Sequence, residues 1–118
     1  MAEKIKGRVY ISGKISGMDE MQSKAKFRKA ENELWFKHGV HPCMTFNPWV
    51  LDYILKDAEY EEFMRVDLAV LSICDAIYML NNWEDSAGAK RELAEAQRLG
   101  LDIYYEPEEE VIAKRRKR

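Results

Sequence analysis

The chain has 118 residues, of which 47% are apolar, and its 19 basic and 21 acidic side chains give a net charge of −2. This length and composition predict one globular domain, and they exclude a charge-driven disordered chain and a generally basic nucleic-acid binder. No apolar stretch approaches the roughly 20 residues that span a bilayer, and we expect no secretory signal and no membrane partner. The two cysteines, Cys43 and Cys74, lack metal-ligand spacing, so we expect a reduced, cytoplasmic protein.

Charge is uneven only at the C-terminal end, where an acidic segment at 106–110 precedes five basic residues at 114–118. We expect residues 1–105 to form the domain and residues 106–118 to form a charged tail. We interpret the tail as a solvated terminus, because no aromatic side chains lie among its basic residues to support a contact with phosphate or nucleic acid. Without those five residues, 14 basic side chains stand against 21 acidic ones, so the domain itself is acidic.

The hydrophobic pattern predicts strands and helices that alternate along the chain. Strands are expected at 9–12, 40–46, 75–80 and 102–105, and helices at 19–39, 50–56, 60–74 and 86–99. This order predicts the α/β class, as a single-domain flavodoxin- or Rossmann-like three-layer sandwich with a mostly parallel sheet of four or five strands. Such sheets bind ligands at the carboxyl ends of their strands, which indicates the loops at 13–17, 47–48 and 81–86.

The first candidate segment is the loop at 13–17, Gly-Lys-Ile-Ser-Gly, directly after the first strand. Glycines at Gly13 and Gly17 let backbone N–H groups approach an anion, and Lys14 and Ser16 lie between them. The segment is neither a Walker A loop nor a dinucleotide-binding G-x-G-x-x-G motif. The alternative is an ordinary tight turn between a strand and a helix.

The second candidate segment is the start of the last helix, where Ser86 can cap the helix and small residues around Gly88 leave its end open. Gly88 and Glu92 are four residues apart and lie about 40° from each other on the helix. Glu92 therefore lies at the edge of the apolar face, in a position that suits a partly desolvated acid acting on a ligand. The alternative is a carboxylate that only solvates the helix, as we expect for Glu95.

Asp67 is the third candidate, because helical spacing places it beside the apolar residues Met64 and Leu71. An acid on such a face either pairs with a cation or has a function, and both readings stay open. Trp83, in a loop on the predicted ligand side, can stack on a flat base. The two histidines have no partners at ligand spacing, so we expect no metal site.

Four motifs resemble those of a known protein group, and the resemblance as a whole covers residues 9–105. They are Val-Tyr-Ile-Ser-Gly-x-Ile-Ser-Gly at 9–17, Asn47-Pro48, Asp67-Leu68 with Asp75 eight residues on, and Ser-x-Gly-Ala-x-x-Glu-x-x-x-Ala at 86–96. The chain resembles the nucleoside 2-deoxyribosyltransferase-like superfamily, in its small branch labelled DUF4406. Members of that superfamily cleave the bond between base and sugar in nucleosides or in 2′-deoxynucleoside 5′-monophosphates.

The resemblance implies roles for five matching residues. Glu92 would be the nucleophile that attacks C1′ of the sugar, and Asp67 would protonate the departing base. Tyr10 and Gly13 would line the sugar pocket. Ser86 would help to hold a 5′-phosphate. Cleavage passes through an oxocarbenium-like transition state, which a carboxylate can stabilise or trap covalently.

The chain departs from the resemblance in its first loop, where the nucleotide hydrolases have an arginine and this sequence has Ser16. Lys14 could take the place of that arginine. Besides Tyr10, Gly13 and Ser86, the residues expected to bind the substrate are Lys14, Ser16, Gly17, Asn47, Trp83 and Gly88. Because of this departure, the choice between a nucleoside and its monophosphate stays open, as does the choice between hydrolysis and transfer.

The resemblance predicts an N-glycosidase or a nucleoside deoxyribosyltransferase-like enzyme with a small nucleoside or nucleotide partner and no cofactor. It also implies a homo-oligomer, which the many aromatic and methionine side chains favour as well. One alternative is a non-catalytic nucleotide-binding or sensing module of the same fold. Another is a protein in which both acids are structural.

Overall fold

Four short strands pair in parallel into one sheet in the computed structural model, which describes residues 3–107. They are β1 (Val9–Ser12), β2 (Thr45–Phe46), β3 (Ala76–Met79) and β4 (Asp102–Tyr105), in the spatial order β2-β1-β3-β4. The chain leaves β1 toward one edge of the sheet and returns to pair β3 on its other side, so strand order reverses at β1. This parallel sheet confirms the predicted α/β fold, and residues 108–118 of the predicted tail lie outside the described residues.

Helices cover both faces of the sheet. They are α1 (Glu20–Phe36), α2 (Leu51–Ile54), α3 (Tyr60–Leu71) and α4 (Ala87–Leu99). Because successive strand side chains point to opposite faces, Val9 and Ile11 share a buried cluster with Phe27 of α1, whereas Tyr10 shares one with Leu93 of α4. Within residues 3–107, no helix has both the length and the apolar character needed to cross a membrane.

The prediction of a strand at 40–46 is wrong, except for the last two of these residues. Pro42–Met44 form a 3₁₀ helix, and only Thr45–Phe46 pair with β1. Pro42 has no N–H to donate to a strand ladder, and His41 Nδ1 accepts a hydrogen bond from the Cys43 N–H at 3.1 Å. These two local effects turn the chain where the apolar pattern favours a strand.

The remaining elements differ from the predictions mainly at their ends. The helix predicted at 60–74 ends at Leu71, and the one predicted at 50–56 is a 3₁₀ turn, Pro48–Val50, followed by the single turn of α2. The loop predicted at 81–85 contains a 3₁₀ helix, Trp83–Asp85. Beyond β4, Glu106 is buried and its N–H donates to the Met79 carbonyl at 2.8 Å, so Glu106 continues the folded part by one residue.

Gly13, at the end of β1, lies too close to β3 to carry a side chain. A Cβ atom on Gly13 would lie 2.6 Å from Leu80 Cδ1 and 2.9 Å from Leu80 Cβ, and Leu80 is fully buried. We therefore predict that Gly13→Ala lowers the free energy of unfolding by about 1 to 3 kcal/mol, because the strand end and the loop must shift. Urea denaturation followed by circular dichroism measures this change.

Gly88→Ala is the matched control for that substitution. The atoms nearest its added Cβ would be Met64 Sδ at 3.4 Å and Tyr60 Oη at 3.5 Å, both at flexible ends of side chains, and alanine favours a helix. The control should be neutral or stabilising. A Gly13→Ala variant as stable as the wild type would contradict the close packing of the first loop against Leu80.

Candidate active site

A cavity of about 570 Å³ opens beside the carboxyl end of β1, next to the point where strand order reverses. This volume is in the usual range for small-molecule sites. All three predicted ligand loops contribute to its wall. The lining residues are Gly13, Ile15, Ser16, Glu20, Pro48, Trp49, Asp52, Tyr60, Phe63, Met64, Asp67, Asp85, Ser86, Ala87, Gly88, Ala89 and Glu92.

Glu92 of α4 lies in the cavity wall although its residue is only 5% exposed. The helix begins where Ser86 Oγ accepts a hydrogen bond from the Ala89 N–H at 3.0 Å. Glu92 comes six residues after this cap, on the face that also buries Ala89, Leu93 and Ala96. The amphipathic pattern of α4 thus turns this carboxylate toward the sheet, while the small residues of its first turn border the cavity.

Two hydroxyl groups of β1 hold the Glu92 carboxylate. Tyr10 Oη donates to Oε2 at 2.6 Å, and Ser12 Oγ donates to Oε1 at 2.6 Å. Tyr10 and Ser12 are two residues apart on one strand, so both side chains leave the sheet on the face that α4 covers. Each carboxylate oxygen therefore has a fixed donor, which sets the orientation of the group.

Asp67 of α3 is the second buried acid of the cavity wall and is 6% exposed. Its Oδ1 is buried without a hydrogen-bond partner among the described residues. Among the described residues, no salt bridge therefore satisfies Oδ1, although a salt bridge was the alternative to a functional role for Asp67. A buried acceptor without a donor is costly unless the group is protonated or meets a ligand, so this oxygen is available for chemistry in the cavity.

The two acids perturb each other. Burial raises the pKa of Glu92 to about 8, and the charge of Asp67 adds to the rise, while the Ser12 and Tyr10 hydroxyls oppose it. Burial raises the pKa of Asp67 to about 6, although its neighbours Glu92 and Tyr10 act to lower it. Because the groups titrate as a pair, the pair holds one proton between about pH 6 and about pH 8. Burial also raises the pKa of Tyr10 well above its ordinary value, so Tyr10 remains a hydroxyl donor.

The structure brings six of the eleven predicted site residues together in the cavity wall. They are Gly13, Ser16, Asp67, Ser86, Gly88 and Glu92. Tyr10 is fully buried and is not among the lining residues, so it contacts the site through Glu92 instead of meeting a sugar directly. Its place in the site is that of a residue that positions the carboxylate.

The other four predicted residues lie outside the cavity wall and shape the loops around it. The Lys14 N–H donates to Asn82 Oδ1 at 3.1 Å, and Gly17 turns the chain with a φ of 77°. Asn47 caps the next turn, where its Oδ1 accepts from the Trp49 N–H at 3.0 Å. Trp83 is partly buried against the core cluster on the α4 side of the sheet, with its ring centroid 6.0 Å from that of Tyr105.

Sequence reasoning missed Ser12 and the aromatic wall of the cavity. The two-residue spacing from Tyr10 is the signal that could have identified Ser12, since it places both hydroxyls on one face of β1. Trp49 lies in the wall with its Nε1 donating to Ser23 Oγ at 3.1 Å, and Tyr60 lies there at the start of α3. Neither aromatic residue belongs to a motif that would separate it from core or surface positions.

In the part of the chain that the structure describes, no three His, Cys, Asp or Glu side chains are grouped so that they could hold a metal ion. Both cysteines are free, Cys43 at the surface and Cys74 buried.

Comparison with known proteins assigns the chain to a family. The sequence profile of the family described as Domain of unknown function (DUF4406) matches residues 7–105, so the chain belongs to the DUF4406 family. The match spans the sheet, all four helices and the cavity. No match was found among curated proteins or among solved structures.

The raised pKa of Glu92 predicts that stability depends on pH. In the native state the proton that Glu92 shares with Asp67 is kept up to about pH 8, whereas the unfolded chain releases the Glu92 proton near its ordinary value of 4.5. The stability from this group is therefore fully present below about pH 4.5 and is lost as the pH rises toward 8. Relative to Glu92→Gln, the wild-type free energy of unfolding should fall by on the order of 1 kcal/mol per pH unit, measured by urea denaturation across this window.

Glu95→Gln is the matched control, with the same chemical change on the solvent side of α4. Its carboxylate pairs with Arg98 at 2.6 Å, which lowers the pKa of Glu95, so its protonation does not change in that window. The difference between wild type and Glu95→Gln should stay constant with pH. A constant difference between wild type and Glu92→Gln would show instead that Glu92 has an ordinary pKa.

Proposed function

We propose that this DUF4406 protein cleaves, or transfers at, the N-glycosidic bond of a nucleoside or nucleoside 5′-monophosphate, with Glu92 as nucleophile. The observation that carries the proposal is a pair of buried carboxyls in the wall of a cavity of about 570 Å³. The resemblance of four motifs to the nucleoside 2-deoxyribosyltransferase-like superfamily supports the choice of substrate. Paired carboxyls are the usual machinery for breaking a glycosidic bond.

In the proposed first step, one Glu92 oxygen attacks C1′ of the sugar while the C1′–N bond breaks and its electron pair leaves with the base. Asp67 supplies the proton that the departing base requires. In the second step, water hydrolyses the glycosyl–Glu92 ester, or the nitrogen of a second base displaces Glu92 from C1′. Either route returns free Glu92, and the proton released by the incoming nucleophile restores Asp67.

The hydrogen bonds of the site support this division of roles. The productive form of the pair has its single proton on Asp67 and its negative charge on Glu92. Tyr10 and Ser12 both donate to Glu92 at 2.6 Å, which favours the charge there. Asp67 Oδ1 has no hydrogen-bond donor among the described residues, so this oxygen can carry the proton in that form.

The test incubates the protein with a panel of deoxynucleosides and their 5′-monophosphates and measures the released base by chromatography. Glu92→Gln should lower kcat on the order of 10³-fold or more, because it removes the nucleophile. Asp67→Asn should lower kcat about 10²- to 10⁴-fold, because it removes the proton donor. Glu95→Gln, on the same helix but paired with Arg98, should leave the rate unchanged.

Two results would contradict the proposal. Base release at the wild-type rate by Glu92→Gln would remove Glu92 from the mechanism. Tight binding of a nucleoside or nucleotide with no base released from any member of the panel would instead indicate a binding or sensing module.

A further inference from the structure

The cavity wall is strongly acidic. Five of its side chains are carboxyls, contributed by Glu20, Asp52, Asp67, Asp85 and Glu92. Among the described residues that line the cavity, none is lysine, arginine or histidine. A site that holds a phosphate dianion ordinarily supplies arginine, lysine or several backbone donors, and here carboxylates stand in those places.

Two cations on the helices around the cavity are engaged with acids and rings. Lys24 Nζ lies 2.8 Å from Glu20 Oε2 and 5.0 Å from the centroid of the Trp49 ring. Arg91 pairs with Glu61 at 2.9 Å, on the outer side of α3 and α4. Lys24 thus offsets one of the five acids at most, and an excess of negative charge remains around the cavity.

The start of α4 is the place where a phosphate would be expected, and an acidic residue lies directly before it. Ser86 Oγ is used as the helix cap and accepts from the Ala89 N–H. Asp85, directly before the cap, lines the cavity and adds a negative charge close to the helix end. Repulsion between this charge and a phosphate opposes the attraction that the helix end offers to an anion.

The same charge favours the reaction of an uncharged substrate. Breaking a glycosidic bond builds positive charge on the sugar and on the protonated base, and surrounding carboxylates stabilise it more than they stabilise the neutral ground state.

We propose that this site selects nucleosides that lack a 5′-phosphate and discriminates against the corresponding 5′-monophosphates. The inference rests on the proposed function and narrows its substrate to the uncharged class. Asp52 and Asp85 are the residues that determine this specificity, since neither belongs to the buried pair that performs the chemistry.

The experiment compares each deoxynucleoside with its own 5′-monophosphate, by base release and by calorimetric binding, at low and at high salt. At low salt the kcat/KM for the nucleoside should be at least about tenfold higher than that for its monophosphate. High salt should reduce this difference in kcat/KM, because it screens the carboxylates. Asp52→Asn and Asp85→Asn should each narrow this difference in kcat/KM about threefold, because each removes a negative charge that repels the monophosphate.

Asp102→Asn is the matched control. It removes the same charge at the exposed start of β4, at the opposite end of the strands from the cavity, and it should leave the preference unchanged. Monophosphates that react or bind as well as nucleosides would overturn the inference while leaving the proposed function intact. Preferential binding of nucleosides without base release would uphold the inference and contradict the proposed function. The inference would also be overturned if the preference for nucleosides were unchanged by high salt, by Asp52→Asn and by Asp85→Asn.

Discussion

The two hydrogen bonds from β1 to Glu92 are the interaction on which the site depends. They join the central strand to α4 and fix a charged group at the border between core and cavity. An unpaired carboxylate at this depth would be strongly destabilising, and the two hydroxyls offset part of that cost. The sheet therefore does more than carry the loops, because it supplies the donors that orient the proposed nucleophile.

The second acid makes the arrangement chemically useful. A lone buried carboxylate with two donors is a common structural device, but Asp67 adds a neighbour that prevents both groups from being ionised together at neutral pH. The pair then has one proton to give and one negative charge to attack with. The acidic wall around it suits a reaction whose transition state is more positive than its substrate.

Most of the fold follows from local signals in the sequence. The apolar run of β3, the cap at Ser86 and the stop at Gly100 are strong signals, and their elements form where the pattern places them. The segment before β2 is the exception, because Pro42 and the His41 side chain override an apolar pattern that is too short to specify a strand. The parallel order around β1 follows from the alternation of strands and helices.

The site was less predictable than the fold. Helical geometry alone places Glu92 at the edge of a buried stripe, and the spacing from Gly88 indicates the open space beside it. Nothing local indicates that Tyr10 and Ser12 lie behind the carboxylate, because that contact joins residues 80 or more positions apart. The contact between Trp83 and Tyr105 is hidden for the same reason, since the position of Trp83 in a loop does not reveal its partner in β4.

Trapping the covalent intermediate tests the central claim most directly. A nucleoside with fluorine at C2′ destabilises the oxocarbenium-like transition states, so a glycosyl–enzyme ester that forms should persist long enough for mass spectrometry. The account predicts one fluorosugar per chain, attached to the peptide that contains Glu92, and no adduct on Glu92→Gln. An adduct on another residue, or stoichiometric base release with no adduct, would contradict a nucleophilic Glu92.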